Sequence, residues 1–68
     1  MNADEMMDEA ATMLRDWRYC LEMMDDAETI ATLDEMTSRI ARMTGKPESL
    51  VRIQINIRAN RLRAGLPN

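Results

Sequence analysis

Phenylalanine and histidine are absent from these 68 residues, and tryptophan, tyrosine and cysteine occur once each. Without histidine there is no imidazole for general acid–base work, and most zinc sites are excluded. A single cysteine, Cys20, can close no internal disulfide. With no histidine to activate it, Cys20 reads as a buried thiol in a reducing cytoplasm. Only two glycines and two prolines punctuate the chain, and no Gly-rich phosphate loop is among them. No apolar run approaches the roughly 18 residues of a membrane span, and the acidic start does not read as a signal peptide. Asp4, Asp8, Asp25 and Asp26 do not fall at calcium-loop spacing. These absences argue against an enzyme, a cofactor, a metal, a membrane or a small-molecule substrate, and they place the chain in the cytoplasm.

The sequence does hold 46% hydrophobic and 31% charged residues, with eight methionines. That is a globular balance, sized for one small domain over 1–68. A chain this short buries only about 60% of its unfolded surface, so a homodimer is expected. The net charge of −3 is divided along the chain. Residues 1–35 carry eleven acids and two bases, Arg15 and Arg18, for a net −9. Residues 36–68 carry seven bases and the single acid Glu48, for a net +6. Either the halves neutralise one another, or each attracts a different partner.

The apolar spacing predicts an all-α chain of three helices. Asn2 with Glu5 resembles a capping box. Ala3, Met7, Ala10, Leu14, Trp17, Leu21 and Met24 then follow at steps of four and three, predicting a helix over about 3–25. Met6, Met13 and Cys20 widen that stripe to one suited to a bundle. Ile30, Leu33, Met36, Ile40 and Met43 predict a second helix over about 27–44. Asp25 to Glu28 offers its cap. Its apolar face is turned by roughly 120° from the first, at about 100° per residue, so a helical hairpin is expected, with one long bent helix as the alternative. Gly45 can end the second helix, and Pro47 can open a third at its first position.

Residues 47–64 carry two patterns at once. Val51 to Arg58 alternates apolar and polar like a strand. Val51, Ile55, Ala59 and Leu62 also sit at helical spacing, and Leu50, Ile53, Ile57 and Ala64 form a second helical stripe on the other side. Gly65 and Pro67 supply a helix stop, with Arg58, Arg61 and Arg63 near the end that favours cations. Helix is favoured. A helix striped on both sides needs two covers: its own hairpin and a second protomer. The expectation is an intertwined homodimeric bundle whose shared core contains Leu14, Trp17, Leu21, Val51 and Ile55.

Ile40, Ala41, Gly45 and Val51 match the spacing of a helix-turn-helix, and residues 40–54 resemble that motif. The resemblance implies that Ser49, Arg52 and Asn56 face the major groove, and that Lys46, Arg58, Arg61 and Arg63 meet phosphates. Lys46 and Gln54 depart from the motif, since both positions are usually apolar, and Ile53 would point at solvent. Were 51–58 a strand, two copies would resemble the ribbon-helix-helix repressors, although there the strand precedes the helices.

The methionines suggest a different function. Flexible thioethers fill cores, and they also suit surfaces that accept varied partners. Met6, Met13 and Met23 fall toward the stripe's edges. Tyr19 lies off the seam, flanked by Arg15 and Arg18. These six residues form the candidate contact surface for a host protein. In size and composition the chain resembles the inhibitors and anti-activators encoded by phages and mobile elements. The expectation is therefore a non-enzymatic regulator that binds a host protein, such as a transcription regulator, through an acidic, Met-rich surface. DNA binding through residues 40–63 is the alternative, set against an overall pI near 4.8.

Overall fold

The computed structural model describes residues 2–19 and 27–65, with the side chains of 17–19 excepted. Its elements are α1 (Ala3–Tyr19), α2 (Ala27–Thr44) and α3 (Glu48–Arg63). The described residues are all-helical, with no strand. The three helices pack on one another around one core, so α1 and α2 form a hairpin rather than one long bent helix. The expected end of the first helix, with Cys20, Leu21, Met23, Met24 and the Asp25 cap, lies outside the described residues.

Each helix starts and stops for local reasons. The Glu5 backbone N–H donates to Asn2 Oδ1 at 2.8 Å, and Asn2 Nδ2 donates to Glu5 Oε1 at 3.1 Å. This satisfies an orphan donor of the first turn and holds the acid near the positive end of the dipole. At the end of α2, the Gly45 N–H donates to the Ala41 carbonyl at 2.9 Å with φ +71°. Nothing lies within 4 Å of where a Gly45 Cβ would project. A Gly45→Ala variant should therefore lose about 1–2 kcal/mol from backbone conformation alone. Chemical denaturation would read this as a lowered midpoint with unchanged slope. Pro47 is the N-cap of α3, one place earlier than the first helical position expected. Its carbonyl accepts from the Leu50 and Val51 N–H groups, both at 3.1 Å. Gly65, at φ +73°, closes α3 as the sequence predicts.

The core is built from Met6, Met7, Ala10 and Ala11 of α1, Ile40 and Ala41 of α2, and Val51, Ile55 and Ala59 of α3. Leu14, Leu33, Met36 and Leu62 close over it. Thr37, 2% exposed, sits among them because its hydroxyl donates to the Leu33 carbonyl at 2.7 Å. Its polar group is thus paired within its own helix.

The strand reading of 51–58 is overturned, and the ribbon-helix-helix likeness with it. Val51, Ile55 and Ala59 are buried while Ile53 and Ile57, which a strand would place on the same face as them, are exposed, as only a helix arranges. Two placements bear on the expected contact residues. Val51 and Ile55, assigned to a shared core, are buried at 0% and 3% exposure by the chain itself. Met6, assigned to the stripe's exposed edge, is 7% exposed in the core. A helix flanked by two others buries a wider arc than a single seam, and that arc takes in Met6 and Ala11.

Candidate binding surfaces

Three surface features stand out on this frame. The first is a groove of about 310 Å³ between α1 and α2, lined by Met6 and Glu9 from one helix and Thr32, Glu35, Met36 and Arg39 from the other. Its apolar lining is thioether and its acids stand on both helices. Glu35 accepts from Arg39 Nη2 at 3.0 Å, whereas Glu9 makes no ion pair among the described residues.

The second is a cleft of about 370 Å³ where the start of α1 meets the α2–α3 turn and the middle of α3. Lys46, Arg58 and Arg61 line it together with Asp4, Met7, Gln54 and Ile57. Three of the four candidate phosphate-contacting cations thus share one cleft. Arg58, however, is already engaged. Its two terminal nitrogens reach Asp4 Oδ1 and Asp8 Oδ1, each at 2.6 Å. The hydrogen bond to Asp4 holds the guanidinium above its ordinary value, Asp8 adds to this, and partial burial opposes it. A raised folded value gives stability that is complete below the ordinary guanidinium range and lost only as pH rises through the folded one. The clamp is therefore constant in Arg58 protonation at any working pH. Its acids are largely exposed, so solvent screens it. Arg58→Ala should cost about 1 kcal/mol, most of it recovered as coupling energy in a double-mutant cycle with Asp8→Ala; additive losses would mean the pair does not form.

The third is the outer face of α3. Leu50, Ile53 and Ile57 are 39%, 55% and 46% exposed, on the side away from the core. At about 100° per residue, Ser49, Arg52, Asn56 and Arg63 lie on one flank of this ridge, and Gln54, Arg58 and Arg61 on the other. Arg52 donates to Asp34 of α2, and Arg63 donates to Asn60 Oδ1 at 2.6 Å. An apolar ridge therefore divides the candidate base-reading residues from Arg58 and Arg61, while Arg63 shares their flank.

The remaining candidates are scattered. Met13 is half-buried, and Arg15 pairs with its neighbour Asp16 at 3.0 Å. Leu14 packs against the chain's own core. Arg18 and Tyr19 belong to α1 by backbone; their side chains, that of Trp17, and residues Leu21 and Met23 lie outside the described residues. Glu9, Thr32, Glu35 and Met36 were not anticipated as a site, because no single-helix pattern reveals a groove between two helices. Among the described residues, no three His, Cys, Asp or Glu side chains converge as a metal site, and no helix is long and apolar enough to cross a membrane. No protein family, curated protein or solved structure matches the chain.

Proposed function

We propose that this chain is a non-enzymatic, homodimeric regulator that binds a host protein through the acidic, methionine-lined groove between α1 and α2. The observation that carries the reading is the convergence of Met6 and Met36 with Glu9 and Glu35 along one groove. Thioethers adapt to varied apolar side chains, and the surrounding carboxylates favour a segment that is basic at its edges. Four of its six lining residues, Met6, Glu9, Thr32 and Glu35, fall in the part of the chain, 1–35, that carries net −9. The partner is thus a basic, apolar-faced segment, and occupying it is the regulatory act, of the anti-activator kind. Affinity capture from host extract tests this. The parent chain should retain a protein that Glu9→Lys/Thr32→Lys, both rim positions, fails to retain at equal helicity. Identical captured proteins from both would remove the groove from the account.

A second reading has its own support. Ala41 and Val51 are buried on either side of a sharp α2–α3 turn at Gly45, and Lys46, Arg58 and Arg61 share one cleft. These favour DNA binding. The apolar Ile53 and Ile57 in the middle of the would-be reading face, and the engagement of Arg52 and Arg58 by acids, weigh on the other side. A duplex titration across salt separates the two. Binding with a steep salt slope that Arg52→Ala weakens would favour DNA.

A further inference from the structure

The inner stripe of α3 is used up by its own chain, while the outer stripe is exposed among the described residues. Its members Leu50, Ile53, Ile57 and Asn60, continued by Ala64 at the C-cap, follow one another at steps of three and four. This is the spacing of a two-helix seam. We propose that the outer face of α3 packs against the same face of a second copy, with the two helices antiparallel. The inference rests on the homodimer reading above and adds its surface and its orientation.

Size argues for a second copy. Ile40 and Val51 are the largest fully buried side chains of the described core, and three of its nine members of low exposure, Ala10, Ala11 and Ala59, are alanines at 0%. So small a core leaves apolar area outside it: among the described residues three of the five exposed large hydrophobics, Leu50, Ile53 and Ile57, lie on this seam, with Ile30 and Met43 on α2. Self-complementarity argues the same way. With the helices antiparallel, Ile53 meets the partner's Ile57 and Leu50 meets the partner's Asn60. On the flank, Ser49 then lies opposite the partner's Arg63, and Arg52 opposite the partner's Asn56. No two cations oppose each other. A parallel pair would bring one copy's first flank against the partner's second, setting Arg63 beside the partner's Arg61 on both sides of the seam, which repel. Antiparallel dipoles also place unlike helix ends together. The positive charge of α3 is already lowered by Asp4 and Asp8 on Arg58 and by Asp34 on Arg52. A 16-residue helix is about 24 Å long, so the contact buries on the order of 1,000 Å², at the small end of stable interfaces. A dimer of micromolar affinity is the consequence.

Sedimentation velocity should show the parent chain as a dimer at tens of micromolar and Ile53→Asp as a monomer, with far-UV circular dichroism unchanged. Orientation is read by oxidative cross-linking in a Cys20→Ser background. Leu50→Cys mixed with Asn60→Cys should form a bridge between the two variants, and neither should bridge to itself. Self-bridging of either alone would overturn the antiparallel order. A dimer unaffected by Ile53→Asp would overturn this surface while leaving the homodimer intact. A monomeric parent chain would overturn both, and its binding to duplex DNA or anionic vesicles through Ile53 would assign the ridge to those instead.

Discussion

Ile40→Ala is expected to remove most of the stability of this protein. Ile40 is fully buried where α2 faces both other helices, and it is one of the two largest side chains so enclosed. Truncating such a residue costs about 2–5 kcal/mol, the spread reflecting how far the neighbours collapse into the space. A domain of this length has roughly 3–10 kcal/mol in total. The loss should appear in thermal denaturation as a midpoint lowered by more than about 10 °C, or as no cooperative transition at all. Ile55→Ala falls in the same range for the same reason, and Leu14→Ala at its lower end because Leu14 is only partly buried. A loss under about 1 kcal/mol for Ile40→Ala would mean the three-helix core does not form as described.

The second large effect comes from adding volume. Ala10 and Ala11 of α1 and Ala59 of α3 are each 0% exposed in one core, so small residues serve both of these packed helices. Small residues at a helix crossing let the backbones approach closely. Ala59→Leu would insert a branched side chain where the core has no space for it, and α3 would have to move away from α1. Such overpacking costs about 1–3 kcal/mol. The Arg58 clamp spans the same two helices at Asp4 and Asp8, so it should be disrupted as well. A double-mutant cycle of Ala59→Leu with Arg58→Ala would then be sub-additive. Full additivity would place the two contacts on independent parts of the structure.

The sequence made the helices more legible than the surfaces. The range of α2 was expected at 27–44 and is found at Ala27–Thr44, because its stripe is one-sided and Gly45 stops it. The strand-like alternation of Val51, Ile53, Ile55 and Ile57 has a physical origin in α3. Val51 and Ile55 belong to the inner seam, Ile53 and Ile57 to the outer one. Two helical seams on opposite faces, read as one string, imitate a period of two. The burial of Met6 and Ala11 was less legible, since one helix's pattern does not show how many neighbours it will have. The groove between α1 and α2 and the cleft at Lys46, Arg58 and Arg61 need side chains from two or three elements, and no local pattern encodes their convergence.

The division of charge is partly used inside the chain. Arg58 joins Asp4 and Asp8, and Arg52 joins Asp34, so two bases of the second half are tied to acids of the first. Lys46, Arg42 and Arg61, and on the other side Glu9 and Glu28, make no ion pair among the described residues. Of these, Lys46 and Arg61 line the cleft and Glu9 lines the groove, where a partner would meet them.

Sedimentation equilibrium of the parent chain between about 1 and 100 μM tests most directly whether the outer face of α3 is an interface, since that range brackets a micromolar dissociation constant. The apparent mass should rise from that of one chain toward twice that value. A mass fixed at that of one chain over the whole range would contradict it.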